Sequence, residues 1–398
     1  MAARDQVIKF NQQALYVGPA TSTGGHYLDS AGVRLSEDNE GSGNLVKQLY
    51  RIQNCNYSWG VNRTNVYQFG ELAAIDKVIL ETPTVNLSFS YLVANAYNES
   101  GLGFYTQGSL SALSGILNKT EDDRNYWLKI APEGEDAVGN DKSDVNTFTI
   151  GFGNGFITSY STQAAINSFP TCDIAVECLN MTFDTGTSGT IPAIFPDNGA
   201  RVTGYRYTLP QASGSPGTGN LDISVLRPGD ITMTILQREA SDEGGLENAT
   251  SEYSTAGVSI NDARIQSYNI SLGLAREPIQ ELGTKFAISR DITFPVSVSC
   301  SVDAIVTNLT TGSLSDMVNC DQAYDLIFNL RKPVCPGEAQ PVIVRHVLKN
   351  SKLEGVSYTS DIGSNKRATL NFSSEIGSAL QVNRGWFLSG ISSHVAGF

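Results

Sequence analysis

Short runs along the chain alternate hydrophobic with small polar residues, the pattern of antiparallel strands that have one buried side and one wet side. Cys55, Tyr57 and Trp59 share one side of the first clear run, and Tyr268 and Leu272 lie on the same side of a second run. The small polar sides are Asn54, Asn56 and Ser58 in the first run and Ser267, Asn269 and Ser271 in the second. We therefore expect two strands whose apolar sides, Trp59 included, pack on a core.

The two runs belong to a longer internal repeat. With an offset of 213 residues, 13 of the 41 positions from Arg51 to Tyr91 are identical in the second copy. Average residue frequencies would give about two or three matches by chance. The repeat predicts a duplicated domain, with a Gly/Ser/Pro linker at 211–220 separating residues 1–210 from 211–398.

The fold class predicted for both copies is mainly β. Abundant Gly, Ser, Thr and Asn and many short strand patterns favour a β-sandwich or barrel in each copy. Helical spacing at 109–118, and a serine start followed by an acidic residue at 313–319, predict one short flanking helix per copy.

Charge and cysteine content narrow the function classes. The formal net charge of −13 argues against a nucleic-acid binder, which needs a basic surface. There is no run of 18 apolar residues and no apolar leader, so we expect no membrane span and folding in a cytosol. The six cysteines form no Cys-x-x-Cys pair and the three histidines are far apart, so we expect reduced thiols and no metal site or cofactor.

No catalytic motif is present. A Gly-x-Ser-x-Gly elbow and a Walker loop are both absent, and the paired carboxylates fall in predicted loops. We therefore expect a protein that is not an enzyme. The acidic stretch 121–144 is interpreted as a solvated loop, with a calcium site as the alternative.

Two surface features suggest contacts with something else. The polar strand faces carry Ser, Thr, Asn and Gly rather than Lys and Glu. Such a face suits a surface that lies close to a partner without binding it tightly. An ordinary solvated face is the alternative. The connectors 62–82 and 275–293 are long for a hairpin and contain hydrophobic residues. They either contact a partner or fold over their own core.

Residues 65–91 and 276–295 resemble the tail tube (major tail) proteins of tailed bacteriophages. The resemblance implies two tail-tube-like domains, 1–210 and 211–398, in rings of six that stack into a hollow cylinder. A two-domain chain would close a pseudo-sixfold ring as a trimer, or form a hexamer with one domain outside the bore. The implied lumen-facing residues are Asn54, Asn56, Ser58, Ser267, Asn269 and Ser271, and the implied ring-stacking residues are Val66, Tyr67, Phe69, Ile279 and Leu282.

The resemblance also implies partners and a location. The partners would be further copies of the chain, a tape-measure protein, tail terminator or neck and baseplate proteins, and a sheath if the tail contracts. DNA would pass through the lumen without specific binding, in a virion tail assembled in the host cytoplasm. Two other hypotheses stay open. One is a different virion or surface protein, such as a baseplate ring or a repeat-built adhesin, and the other is a β-sandwich carbohydrate-active enzyme.

Overall fold

The computed structural model describes most of the chain. The described residues are 8–19, 46–80, 82–117, 122–132, 134–139, 147–185, 188–195, 198–202, 206–217, 222–238, 254–255, 258–259, 264–284, 286–287, 289–306, 323–335, 340–363 and 365–390.

Strands dominate the described residues, and the predicted mainly β class is confirmed. The strands are β1 Gln13–Pro19, β2 Lys47–Leu49, β3 Ile52–Gly60, β4 Arg63–Val66, β5 Asp76–Ile79, β6 Thr84–Leu92, β7 Arg124–Ile130, β8 Phe148–Ala165, β9 Thr171–Cys178, β10 Asn180–Thr185, β11 Ser188–Thr190, β12 Arg206–Thr208, β13 Ile231–Arg238, β14 Ser254–Thr255, β15 Val258–Ser259, β16 Arg264–Gly273, β17 Arg276–Ile279, β18 Ser289–Ile292, β19 Val296–Ile305, β20 Ala323–Arg331, β21 Val342–Thr359, β22 Arg367–Ile376 and β23 Gly385–Ser389. The α-helices are α1 Tyr97–Leu102 and α2 Ser114–Leu117.

Eight strands form one continuous antiparallel sheet, which we call the inner sheet. Its order is β3-β6-β9-β8-β16-β19-β22-β21, so four strands of the first half are followed by four of the second. Both halves use the same order of hairpins, and the two blocks meet where β8 pairs with β16.

Two long strands connect this sheet to an outer layer. Strands β8 and β21 are each 18 residues long. The first part of β8 pairs with β7 and β10, and the first part of β21 pairs with β20 and β23. Each half therefore has two β layers, and its apolar residues fill the space between them, as the contact of Tyr268 with Phe328 illustrates.

The registers of the two halves agree residue by residue. Cys55 pairs with Phe89, and 213 residues later Tyr268 pairs with Val302. A register shift falls between Ile157 and Ser159 of β8 and again, 196 residues later, between Leu353 and Gly355 of β21. Positions in one half can therefore be matched to positions in the other by their ladder partners alone.

The helices differ from the prediction. Only Ser114–Leu117 of the segment 109–118 is α-helical, and Tyr97–Leu102 forms a helix that the pattern did not predict. The expected helix at 313–319 lies outside the described residues, and the boundary at 210/211 stays a prediction. Among the described cysteines the thiols are free, with Cys172, Cys178 and Cys300 buried.

Candidate assembly surface

One face of the inner sheet is lined with small polar side chains. Ser161, Ser271, Ser299 and Ser373 face each other across four neighbouring strands. The Oγ atoms of Ser271 and Ser299 lie 2.7 Å apart within hydrogen-bonding distance. At these four positions the face therefore carries short side chains and no long protruding group.

A carboxylate organises the next part of this face. Asp303 accepts hydrogen bonds from Ser267 Oγ at 2.8 Å and from Thr369 Oγ1 at 2.5 Å. Asp173 lies on the same face, because it pairs with Ser90 and Ser161. The alternation along β19 places Asp303 on the polar side with Ser299 and Ser301. Asp173 gave no such signal, because β9 joins this face only through its pairing with β6 and β8.

The six predicted lumen residues all lie on this polar face. Asn54, Asn56, Ser58 and Asn269 are exposed, and Ser267 and Ser271 are partly exposed. The two groups are separated by β6, β9 and β8, so they belong to one surface without touching. Their role in a lumen stays a prediction.

The joint between the halves is a seven-pair ladder from Ser267 with Ala165 to Gly273 with Ser159. On the apolar side it buries Ile270 and Leu272, which are 0% and 2% exposed, beside Tyr160 and Ala164. We call this ladder the internal joint.

The two ends of the inner sheet have no strand beside them among the described residues. Strand β3 pairs only with β6, and the last part of β21 pairs only with β22. Tyr57, Trp59 and Tyr358 are 41%, 65% and 42% exposed at these edges.

The expected burial of Trp59 is therefore wrong. Tyr57 does face the core side, where its ring contacts that of Phe152 with centroids 5.3 Å apart. Trp59 follows it on the same side of β3, but no strand among the described residues covers it at this edge. The pattern predicted the side of the strand correctly and could not show that β3 would lie at a free edge.

Two hairpins carry the predicted stacking residues. Val66, Tyr67 and Phe69 lie in or just after β4 of the β4–β5 hairpin, and Ile279 and Leu282 hold the matching places in the β17–β18 hairpin. All five are exposed, with Phe69 and Leu282 fully so. The hairpins do not fold these residues over the described core, and their role in stacking stays a prediction.

The β17–β18 hairpin is anchored on the first half by two arginines. Arg276 forms an ion pair with Asp122, and Arg290 Nη1 lies 2.5 Å from Glu177 Oε1. Both guanidinium groups lie over the ring of Phe156, at 5.1 and 5.7 Å from its centroid. We call these five residues the arginine anchor.

The anchor also corrects the interpretation of the acidic stretch. Asp122 is mostly buried against Arg276, and burial raises its pKa despite the nearby positive charge. Asp123 is buried and accepts a hydrogen bond from Asn154 Nδ2 at 3.0 Å. The beginning of this stretch is thus structural rather than a solvated loop, and it continues directly into the buried strand β7; residues 121, 133 and 140–144 lie outside the described residues.

The helical segment of the first half extends the contact to the second half. Ala112 N donates to Trp386 O at 2.8 Å, and Trp386 and Leu388 of β23 are fully buried. The position in β10 that matches Leu388 is Phe183, since Leu388 pairs with His346 and Phe183 with Ile150. Phe183 is 68% exposed, because no such segment covers β10 in the described residues.

A buried carboxyl group lies close to the internal joint. Glu99 Oε1 accepts a hydrogen bond from Tyr91 at 2.8 Å and lies 3.4 Å from the hydroxyl of Tyr160, a residue of the joint. Burial raises the pKa of Glu99 to about 7. Its Oε2 has no hydrogen-bond partner within the described part of the chain, which suits a protonated carboxyl.

The described residues contain no cluster of three or more potential metal ligands. No helix among them is long and apolar enough to cross a membrane. The candidate assembly surface thus has a polar face, two free sheet edges, two exposed hairpins and the internal joint.

No family model and no curated protein matches the chain. Among solved structures, it is similar to a chain of the cryo-EM structure of the anti-feeding prophage baseplate, with 13% identity and a TM-score of 0.23 over 40% of this chain and 92% of that chain. It is also similar to a chain of the virion of a native gene transfer agent particle, with 11% identity and a TM-score of 0.18 over 42% of this chain and 98% of that chain. At TM-scores this low, the similarity carries no weight for function.

Proposed function

We propose that the chain is a structural subunit of a bacteriophage tail tube, in which three copies close a ring of six modules around a bore. The observation that carries this proposal is the internal joint, which joins two blocks of identical strand order and leaves the same two kinds of edge free at the outer ends. An edge that repeats the geometry of a completed joint is a template for another copy.

The internal joint gives the register of the joint between chains. The ladder partners match Ile270 to Tyr57 and Thr162 to Tyr358, so Tyr57 would face Tyr358 of the next chain. In the same way Trp59 would face Val356, and Ser58 would face Ser357. The exposed aromatic residues of both edges would then be buried against each other.

The number of strands gives the width of the bore. Each chain contributes eight strands to the inner sheet, so three chains would contribute 24. With strands about 4.8 Å apart and tilted by up to about 45°, such a barrel is roughly 35–50 Å across its backbone, wider than a DNA duplex.

The lining suits passage of DNA without binding. The middle of the polar face presents hydroxyl and amide groups together with Asp173 and Asp303. Carboxylates repel DNA phosphates, and the chain as a whole carries a net charge of −13. The exposed hairpins β4–β5 and β17–β18 would reach the next ring and allow rings to stack, with a tape-measure protein inside the tube and terminator and baseplate proteins at its ends.

A cysteine pair tests the ring directly. Cysteines at Ser58 and Ser357 should crosslink neighbouring chains under oxidation, because facing residues in an antiparallel ladder lie within disulfide range. Closed rings of three should give covalent species up to a trimer and no larger. The matched control places cysteines at Ser161 and Ser271, which face each other in the internal joint and should close only within one chain.

Each outcome bears on the proposal. Covalent hexamers would replace the trimer by a six-chain ring. Absence of any crosslink between chains, together with monomers in electron micrographs of the purified protein, would overturn the proposal. Rings that never stack into tubes would instead favour a ring-forming baseplate protein.

A further inference from the structure

The arginine anchor has an altered counterpart at the free edges of the inner sheet. Its basic residues lie in the β4–β5 hairpin of the first half, and its acidic side lies at the outer edge of the second half. Arg276 and Arg290 match Arg63 and Lys77, because both hairpins pair with the same register 213 residues apart. Arg63 and Lys77 are exposed, and neither forms an ion pair with another described residue. A hairpin whose basic residues have no ion-pair partner among the described residues of their own chain points to a contact with another copy.

The position in the second half that matches Glu177 also has a carboxylate beside it, but this carboxylate comes from a different strand. Glu177, the partner of Arg290, pairs with Asn86 and Phe156; the residue with the matching partners, Ser299 and Lys352, is Ser373. Ser373 Oγ donates a hydrogen bond to the carboxylate of Glu354, which lies at the register shift of β21 and is exposed. Glu354 thus brings its negative charge to the place that Glu177 occupies in the internal joint.

The aromatic part of the anchor is not repeated. Phe156, which lies under both arginines, is matched by Lys352. A lysine at this point removes the cation–π platform and adds a positive charge beside Arg63. Among the described residues, the outer edge of the second half therefore keeps a carboxylate of the anchor but not its aromatic ring.

We infer that Lys77 of one copy forms an ion pair with Glu354 of the next copy, and that this exposed pair makes the joints between chains more sensitive to salt than the joints within chains. The inference rests on the proposed ring, since it takes a second copy of this chain as the partner. An exposed ion pair is screened by salt, whereas the side chains of Arg276 and Arg290 are 5% and 9% exposed and less open to screening.

Charge reversal tests the pair. Lys77→Glu and Glu354→Lys should each raise the concentration at which rings form by about fivefold or more, because each replaces an attraction with a repulsion. The double variant should return this concentration to within about threefold of the wild type, since the pair is restored with opposite polarity. Sedimentation velocity at two salt concentrations measures ring formation, and circular dichroism verifies that each variant is folded.

Lys47→Glu is the matched control. Lys47 is an exposed lysine on β2, outside the inner sheet, and its reversal makes the same change in net charge. It should leave ring formation unchanged.

The outcomes separate this inference from the proposed function. Rings that form equally well in both single variants, or a double variant that assembles no better than the single ones, would overturn the Lys77–Glu354 pair and leave the ring standing. A wild-type protein that forms no rings at any salt concentration would overturn both.

Discussion

Strands β3 and β16 hold the same position in the two halves of the molecule, yet only β16 is covered at both edges. Leu272 of β16 is 2% exposed, whereas its counterpart Trp59 in β3 is 65% exposed. The difference lies in the neighbour, because β8 pairs with β16 and no described strand pairs with the outer edge of β3. In the proposed ring, the exposed Trp59 at this free edge is where the next copy of the chain would pack.

The same comparison holds at the other end of the sheet. Thr162 of β8 is fully buried in the joint, while its counterpart Tyr358 in β21 is 42% exposed. If the proposed ring forms, one chain therefore shows both the completed form and the open form of the same interface. Substitutions at matched positions should affect folding in one place and assembly in the other.

The largest contrast is expected between Leu272→Ala and Trp59→Ala. Removing a fully buried leucine should lower the free energy of unfolding by about 2–5 kcal/mol. Removing the exposed Trp59 should change it by less than about 1 kcal/mol, but should weaken ring formation. Denaturant unfolding of the unassembled chain measures the first quantity, and sedimentation velocity measures the second.

Equal losses of folding stability in these two variants would break the comparison. They would mean that Trp59 is already packed in the isolated chain. Leu388→Ala and Phe183→Ala form a second matched pair in the outer layer and should show the same division between folding and assembly.

A smaller effect is expected at the buried carboxyl beside the internal joint. The pKa of Glu99 is raised from its ordinary value of 4.5 to about 7, so the folded chain keeps a proton that the unfolded chain releases. Its contribution to stability is therefore present in acid and lost as the pH rises from about 4.5 to 7. Glu99→Gln should remove this loss, which is on the order of 1–3 kcal/mol.

The measurement is the difference between wild type and Glu99→Gln across the pH range. His346 acts in the opposite sense, because burial lowers its pKa to about 3 and its protonation in the unfolded chain destabilises the fold in acid. Since both proteins contain His346, its effect cancels in the difference. A difference that does not vary with pH would show that Glu99 is ionised in the folded chain.

Glu99 also distinguishes the two joints. Tyr91, Tyr160 and Cys172, which surround it, are matched by Ala304, Val356 and Ala368 at the free edge. The pH dependence should therefore belong to folding and the internal joint. Ring formation through the edges β21 and β3 should not show this pH dependence.

The smallest effect on folding is expected on the polar face. Replacing Asn56, Ser58, Asn269 and Ser271 together with Lys should change folding little at each exposed site, but should slow DNA ejection because lysines hold phosphates. Ejection from particles carrying the variant measures this effect, with Gln at the same four sites as the uncharged control. Unchanged ejection would place this face away from the path of DNA.

Much of the fold could be read from the pattern of residues. The mainly β class and the polar side of β3 and β16 followed from alternation, which fixes the side of each residue on a strand. The extent of β8 and β21 did not, because the first part of each strand is buried on both sides between the layers and therefore lacks a simple alternation. The helix predicted at 109–118 was shortened by the packing of this segment against β23.

The candidate site was predictable only in part. The residues that the family resemblance implies face a lumen or stack rings lie on small polar faces and long connectors of the sequence. The structure places them on one exposed face and on two hairpins, and their roles stay predictions. Asp122 and Glu177 gave no signal as partners of Arg276 and Arg290, since they are far away along the chain. Such pairs depend on which strands become neighbours.

The sequence alone determined the alternation along each strand and the 213-residue spacing of the repeat, because both are properties of the chain itself. The tertiary structure decided which edges are closed and which stay open, and hence why Leu272 is buried while Trp59 is not. The physical reason is that burial depends on the neighbour across a ladder, and hydrogen-bonded neighbours in a sheet can come from any distance along the chain.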